Sequence, residues 1–303
     1  MIDRRIKLRH VQALVEIART GSLSGAAEAL ALTQPAVSKT LAELETVLGT
    51  RLMERSRAGV ALTPAGEMFL HYAGASLAAL AQGLDGLAQL GMRGEAVLRV
   101  GALPSVAARL LPEAAMLFRA RARGSVLSLV DGPHAHLTAE LRRGALELVV
   151  GRLGEPETMA GLSFTQLYTE RVAFVVRPGH PLLAAPQLAR LADWPVLFPS
   201  RDAAIRPLVE RMLLAHGIGA LPDRIETVSG AFGRVLARRS DAVWIISEGV
   251  AAPDIAEGTL VALPFDTGLT AGPVGLMTRA GETLTPTARL FLGALSDAAE
   301  TLG

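Results

Sequence analysis

Cysteine is absent from the 303-residue chain, which excludes disulfides, thiolate zinc sites and cysteine nucleophiles. Of six histidines only His134 and His136 lie close together, and because such a pair is usually a loop or strand feature, we expect no metal site. The G-x-S-x-G, H-E-x-x-H, phosphate-loop and dinucleotide-binding motifs are also missing. These absences argue against an enzyme and against a bound cofactor.

Long hydrophobic runs are missing as well. Half of the residues are hydrophobic, yet no apolar run approaches the roughly 20 residues that cross a membrane. The first ten residues, MIDRRIKLRH, lack the apolar core of a signal peptide. We therefore expect a cytoplasmic protein without a membrane partner, long enough for two or three domains.

Residues 8 to 48 have the pattern of three short helices. Apolar residues recur at helical spacing up to Ala18, Ser22 can cap a second helix, and three residues separate that helix from a third. Pro35 suits the first turn of the third helix, whose apolar face continues through Val37, Leu41, Leu44 and Leu48. This pattern fits a DNA-reading helix-turn-helix or an ordinary helical hairpin with a solvated face.

Charge favours the DNA-reading interpretation. Residues 1 to 60 hold nine lysines and arginines against six acids, a balance of +3, whereas the whole chain carries +1. Arg51, Arg55 and Arg57 cluster where a hairpin after the helices would touch DNA phosphates.

The segments AAEAL, LTQPAVSKTLAELE and LMERSRAGVALTPAG, in this order, resemble the winged helix-turn-helix of LysR-type transcriptional regulators. Gly25 departs from the family pattern, and by intrinsic helix propensity it costs about 1 kcal/mol relative to alanine. The resemblance implies a recognition helix in the major groove and a basic wing. The implied DNA-binding residues are Ser22, Thr33, Gln34, Pro35, Ser38, Lys39, Arg55 and Arg57.

A long helix is predicted from Pro64, capped by Thr63, to about Gly91. It carries a stripe with heptad spacing, which can pack on the protein's own body or on a partner chain: Ala73, Leu77, Leu80, Leu84 and Leu87. The LysR-type resemblance implies an antiparallel homodimer through this helix, assembly to a homotetramer, and RNA polymerase as a further partner. A dimer of reading heads implies an interrupted palindromic operator in double-stranded DNA.

From residue 96 onward strands alternate with helices, which predicts open, mostly parallel sheets with a ligand beyond the carboxyl ends of the strands. Two such sheets fit, joined by crossings near residues 168–171 and 264–268. The resemblance implies a two-lobed effector domain like a periplasmic solute-binding protein. The expected fold is therefore α/β, with a helical winged helix-turn-helix in 1–63, a linker helix in 64–94 and an effector domain in 95–303. Lobe I would comprise 95–168 and 268–303, and lobe II 169–267.

Residues at the strand ends nominate an effector site: Ser105, Val106, His134, Arg152, Ser200, Arg201 and Ser229. Ser105 can hold an anion or only cap a helix, and His134 can donate to an anion or end a turn. Arg152 can pair with an anionic ligand or with Glu155 or Glu157. Together with Arg206, these arginines predict a small anionic effector, a polycarboxylate.

Within the family, the segments RVGALPSV, LVVGRL and MAGLSFTQLYTERVAFVVRPGHPLL resemble the activators of protocatechuate catabolism. This narrower resemblance implies β-carboxy-cis,cis-muconate as the effector. A LysR-type regulator of another uptake or catabolic operon is the alternative.

Overall fold

The computed structural model describes residues 3–56, 59–91 and 96–302. Its α-helices are α1 (Leu8–Thr20), α2 (Leu23–Ala29), α3 (Gln34–Leu48), α4 (Pro64–Gly91), α5 (Pro104–Arg109), α6 (Leu111–Arg121), α7 (His134–Arg142), α8 (Arg206–Ala215), α9 (Gly230–Arg239), α10 (Glu248–Ala256) and α11 (Pro286–Glu300). Its strands are β1 (Met53–Ser56), β2 (Gly59–Leu62), β3 (Ala96–Ala102), β4 (Ser125–Asp131), β5 (Leu148–Arg152), β6 (Leu162–Glu170), β7 (Val172–Val176), β8 (Val196–Phe198), β9 (Arg224–Glu226), β10 (Val243–Ser247), β11 (Val261–Ala262) and β12 (Gly272–Arg279).

The chain divides into two compact units, Met1–Gly94 with Arg142–Ala145, and Glu95–Leu141 with Leu146–Gly303. The first unit holds α1 to α4 and the antiparallel hairpin β1–β2. The second holds both larger sheets. In the described part of the chain, no helix has the length and apolarity needed to cross a membrane.

The three short helices of the first unit form where the apolar periodicity predicts them. Leu14 and Ile17 of α1 and Val37 and Leu44 of α3 are fully buried in one core, while Leu8 is about half exposed. The turn between α2 and α3 contains Ala31 in the left-handed region, at φ 54°. Because an alanine there is strained, the short turn is held by its hydrogen bonds, including the one from Leu32 N to Ala27 O at 2.9 Å.

A steric constraint, which helix propensity does not take into account, explains the glycine at position 25. The hydroxyl of Ser22 caps α2 by accepting a hydrogen bond from Gly25 N at 3.0 Å. A Cβ at Gly25 would lie 2.9 Å from both the Ser22 hydroxyl oxygen and the Thr20 Cβ. Glycine therefore leaves room for the cap, which offsets its lower propensity.

The long helix α4 begins and ends where the sequence predicts. Thr63 caps it by accepting a hydrogen bond from Gly66 N at 3.0 Å. Its heptad stripe divides into two parts. Ala73 is buried and Leu77 half-buried against the core of the first unit, whereas Leu80 and Leu84 are exposed; the side chain of Leu87 is not described. The first part of the stripe thus packs on the chain itself, and only the later part is left for a partner.

Lobe I is a five-stranded sheet in the order β4-β3-β5-β12-β6, and lobe II is a five-stranded sheet in the order β11-β7-β10-β8-β9. The chain passes from lobe I to lobe II between β6 and β7, and returns between β11 and β12. Separate cores fill the two lobes, with Phe118 and Phe291 in edge-to-face contact in lobe I and Trp244 buried in lobe II.

The fold class is α/β, as expected, but the prediction of mostly parallel sheets is wrong. In the described residues of the two lobes, four strand pairs are parallel and four are antiparallel: β5–β12, β6–β12, β7–β10 and β7–β11. The antiparallel pairs arise where the chain enters or leaves a lobe, because a returning strand joins the sheet without a helical crossover. The helical stretch after β3 is divided into α5 and α6 just before Pro112, which has no backbone N–H to continue a helix.

Candidate DNA interface and effector cleft

The amino-terminal half of α3 presents an exposed polar surface. Thr33, Gln34, Pro35 and Lys39 are exposed and Ser38 is half-buried, so these residues share the outer face of the helix start. The opposite face is fixed in the core through Val37 and Leu44. A helix held in this way presents its first two turns to a partner without losing its packing.

The remaining residues predicted for DNA binding have different settings. Ser22 is engaged as the cap of α2. Thr33 occupies the N-cap position of α3, but its side chain makes no cap hydrogen bond. Arg55 lies on strand β1 opposite Val60, its side chain not being described, and Arg57 lies outside the described residues.

A cleft opens between the two lobes of the second unit. Its walls come from lobe I at residues 103–105, 132–134 and Arg152, and from lobe II at residues 202–205, Val228, Ile246, Ser247 and Val250. Five of these segments lead into or begin helices: α5, α7, α8, α9 and α10. Helix starts carry partial positive charge and unpaired backbone N–H groups, so their convergence favours an anionic ligand.

Some of the residues predicted to bind the effector line the cleft, and others do not. Ser105, His134 and Arg152 line it. Val106 is fully buried in the core of lobe I, so its side chain points away from any ligand. Ser200, Arg201 and Ser229 flank lining residues without lining the cleft themselves; Ser200 donates to Asp202 at 2.6 Å, and Ser229 caps α9.

The positive charge of the cleft is lower than the sequence predicts. Arg206 lies on another surface, where it stacks over Phe198 at 4.6 Å and bonds to Pro199 O and to two glutamates, Glu210 and Glu226. Arg201 is exposed outside the cleft, while Asp202 adds an acid to the lining. The positive charge in this cleft therefore comes from helix starts and Arg152 rather than from several arginines.

Arg152 joins the two crossings that connect the lobes. Its guanidinium donates to Glu170 O at 2.9 Å, at the first crossing, and to Thr270 O at 3.3 Å, at the second. The crossings are also bound to each other by the hydrogen bond from Val172 N to the Thr270 hydroxyl at 2.9 Å. The charged partner of Arg152 is Glu170, 3.8 Å away, and not Glu155 or Glu157 as the sequence suggests.

Glu170 links the lobes through its carboxylate. Gly249 N, at the start of α10 in lobe II, donates to it at 3.0 Å, and Ser105 of lobe I lies beside it. Burial raises the pKa of Glu170 above its usual range, and the nearby Arg152 opposes that rise. Burial likewise raises the pKa of the Tyr168 phenol two residues away.

Three buried polar atoms in this network have no hydrogen-bond partner within the part of the chain that the structure describes: Arg152 Nε, Glu170 Oε2 and Tyr168 Oη. Sequence reasoning placed Arg152 at the cleft but missed Glu170, Thr270 and Gly249. One signal was available for Glu170, an acidic residue two positions before the buried apolar strand β7.

His180 has a structural role. His180 is buried, its Nδ1 accepts a hydrogen bond from Leu182 N at 3.0 Å, and its Nε2 lies 3.1 Å from Asp241 O. It therefore holds a turn after β7. Among the described residues, no group of three or more histidine, aspartate or glutamate side chains is arranged to hold a metal ion.

Known protein families match both the amino-terminal and the carboxy-terminal part of the chain. A family profile described as "Bacterial regulatory helix-turn-helix protein, lysR family" matches residues 8–67, and the "LysR substrate binding domain" matches residues 93–300. The HTH-type transcriptional regulator PcaQ of Agrobacterium fabrum is 50% identical over 305 residues, covering 100% of this chain and 98% of PcaQ. The uncharacterised HTH-type regulator YdcI of Escherichia coli is 36% identical over 296 residues, covering 97% and 96% of the two chains.

Among solved structures, full-length LysG of Corynebacterium glutamicum with bound effector Arg superposes with a TM-score of 0.64 at 24% identity, over 98% of this chain and 99% of LysG. At that identity the likeness shows the fold alone. The two family profiles and the full-length identity to PcaQ show more: the chain belongs to the LysR family of DNA-binding transcription regulators, whose members are not enzymes.

Proposed function

We propose that this regulator activates genes of protocatechuate catabolism when β-carboxy-cis,cis-muconate, or a closely related small polycarboxylate, binds between the lobes. The observation that carries the proposal is the 50% identity to PcaQ over the full length of both chains. The convergence of helix starts on the cleft supports an anionic effector independently.

In this proposal, lobe I supplies the direct contacts. The Ser105 hydroxyl and the ring of His134 donate to carboxylates, and Arg152 contributes its Nε while its other nitrogens hold the crossings. Apolar residues of lobe II, Ile205, Ile246 and Val250, cover the carbon chain of the ligand. Ser200, Arg201 and Ser229 are sequence neighbours of lining residues and contact the ligand only if the lobes close further.

Closure of the cleft is the proposed switch. Arg152 and Glu170 tie both crossings to the cleft, so a ligand at Ser105 perturbs the segments about which the lobes turn. The exposed part of the α4 stripe, Leu80 and Leu84, suits an antiparallel pairing with a second copy, and we propose a homodimer there that assembles to a homotetramer. A changed subunit arrangement then alters the spacing of the reading heads on an interrupted palindrome, and with it access for RNA polymerase.

The effector is tested by thermal unfolding of the full chain. β-Carboxy-cis,cis-muconate at about 100 times its dissociation constant is expected to add about 2.7 kcal/mol to the free energy of unfolding. The comparison panel holds cis,cis-muconate, protocatechuate, benzoate and arginine. Ser105→Ala should weaken the response roughly tenfold or more in affinity, because it removes a hydrogen bond to a charged group.

The matched control is Ser240→Ala, which removes a hydroxyl that is bonded to Leu236 O and does not line the cleft. This variant should respond like the unmodified chain. If no ring-cleavage acid stabilises the protein while operator binding is intact, the alternative function holds, a LysR-type regulator of another operon. An equal loss in both serine variants would remove Ser105 from the site.

The reading role of α3 is tested by base preference. Ser38→Ala is expected to relax discrimination at one or two operator positions, because a side chain at the start of the recognition helix contacts base edges. Selection from random duplexes, followed by binding to single-base variants, measures this. Thr46→Ala, which removes a hydroxyl bonded to Ala42 O in the second half of the helix, is the control and should keep every preference. If Ser38→Ala has the same base preferences as the unmodified chain, the placement of the start of α3 in the major groove is wrong.

A further inference from the structure

The start of the chain forms a basic surface beside α3. A groove, here called the N-terminal groove, is lined on one side by Arg5, Lys7, Arg9 and His10. Its other side is one face of α3, formed by Lys39, Ala42, Glu43, Thr46 and Val47. Arg5 and Lys7 precede α1, and Arg9 and His10 lie in its first turn, so none of these four belongs to the start of α3 or to the wing.

The backbone that carries these cations is ordered by its own contacts. Residues 3–6 form a turn closed by a hydrogen bond from Ile6 N to Asp3 O at 3.0 Å, and Ile6 packs on the core of the unit. His10 N donates to Lys7 O at 2.9 Å, while Lys7 N donates to His10 Nδ1 at 3.2 Å. The side chains of this segment therefore project from a fixed start of α1.

Charge in the N-terminal groove remains positive after its internal ion pairs are counted. Arg9 donates to Glu43 at 2.8 Å, and His10 Nε2 lies 3.3 Å from the same carboxylate. Arg5 pairs with Asp3 at 2.7 Å. Four cations thus face two acids, one of which, Asp3, does not line the groove. Lys7 and Arg9 also stand at the start of α1, where the helix dipole favours acids, and no acid lies in its first turn.

The position of the groove identifies its partner. Lys39 belongs both to the groove and to the exposed first half of α3, next to Ser38. Any duplex that admits the start of α3 into its major groove brings a phosphate backbone along the side of that helix. The phosphates of that backbone would neutralise the positive charge of the N-terminal groove, which is unfavourable in the free protein.

We propose that the N-terminal groove binds phosphates of the operator backbone that flanks the major groove read by α3, with Lys7 and Arg9 as the main contacts. This inference rests on the proposed reading role of α3. The groove adds affinity for every DNA sequence equally, because a phosphate contact carries no base information.

The test measures binding of the full chain to a duplex obtained by selection and to a scrambled duplex, at about 50 to 300 mM KCl. Lys7→Ala is expected to weaken binding to both duplexes by roughly three- to tenfold at about 100 mM KCl and to lower the salt slope by about one for each phosphate that the variant no longer neutralises. Lys7→Arg should restore both values. Glu43→Gln should tighten binding to both duplexes, because it removes the acid from the groove wall.

The matched control is Arg19→Ala, which removes one positive charge from the other end of α1, where Arg19 pairs with Glu16 at 2.7 Å. An equal loss of affinity for Lys7→Ala and Arg19→Ala would overturn the proposal, since net charge alone would explain both. Unchanged affinity and salt slope for Lys7→Ala would overturn it as well.

If Lys7→Ala keeps its affinity while Ser38→Ala relaxes base preference, the proposed phosphate contact of the groove is wrong and the reading role of α3 stands. If Ser38→Ala changes nothing while the Lys7 effect is found, the groove binds phosphates and α3 is misplaced.

Discussion

Gly66→Ala is expected to lower the free energy of unfolding of the first unit by more than about 3 kcal/mol. A Cβ at Gly66 would lie 1.9 Å from the carbonyl oxygen of Leu52, 2.8 Å from its carbonyl carbon and 3.2 Å from its Cα. All three atoms are backbone, so no side-chain rotation relieves the overlap. The start of α4 would have to move away from the chain segment before β1.

That segment has little freedom to move. Leu52 is fully buried, its N–H donates to Glu45 Oε1 at 2.7 Å, and its carbonyl accepts from Thr63 N at 3.0 Å. A shift of Leu52 therefore breaks the cap region of α4 as well as the core packing. Loss of operator binding should accompany the loss of stability.

Thermal and denaturant unfolding measure this effect, with Gly83→Ala as the matched control in the same helix. A Cβ at Gly83 meets no atom within 4 Å in the described structure, so alanine there should stabilise α4 by up to about 1 kcal/mol through helix propensity. If the two variants unfold at the same midpoint, the close approach of α4 to Leu52 is wrong.

Arg152→Met is expected to destabilise the second unit by roughly 3–5 kcal/mol, since it leaves the carboxylate of Glu170 buried without its cation. The side chain of Arg152 is 4% exposed and that of Glu170 is 0% exposed, and the variant also removes donors to the carbonyls of Glu170 and Thr270. Loss of the effector response would follow from loosened crossings as well as from the missing hydrogen bond to the ligand. Operator binding by the first unit should persist.

The pH dependence of this variant has a definite sign. Burial already raises the pKa of Glu170, and without Arg152 it rises further. A carboxyl group whose pKa is raised on folding favours the folded state below its unfolded pKa and loses that contribution as pH rises through the folded pKa. The cost of Arg152→Met should therefore be smaller at about pH 5 than at about pH 8.

The double variant Arg152→Met with Glu170→Gln is the control. Without a buried charge it should recover part of the stability at about pH 8 and lose the extra pH dependence. A double variant as unstable as the sum of both single variants would show that Arg152 and Glu170 do not act as a pair.

Much of the first unit was predictable because its signals are local. The caps at Ser22 and Thr63 act on the next turn of the chain, and the apolar spacing through Val37 and Leu44 already defines the buried face of α3. Periodicity along one helix needs no knowledge of its neighbours. The bounds of α4 and the identification of the family follow from the same stretch.

Other features depend on contacts between distant segments. The division of the α4 stripe after Leu77 depends on where the core of the unit ends, and the spacing of leucines does not contain that information. Arg206 resembled a cleft residue in the sequence because it follows a strand end, yet Phe198 and two glutamates hold it on another surface.

The sequence by itself determined the class of protein, the reading head and the existence of a two-lobed sensor, because short motifs and periodic patterns specify them. Only the tertiary structure decided the partner of Arg152 and the charge of the cleft. Those properties arise where the chain crosses twice between the lobes, bringing Glu170 and Thr270 to one guanidinium. The N-terminal groove has the same origin, since Lys7 and Lys39 meet only when α1 packs across α3. Charge and burial at such sites are set by long-range packing, which spacing along the chain does not encode.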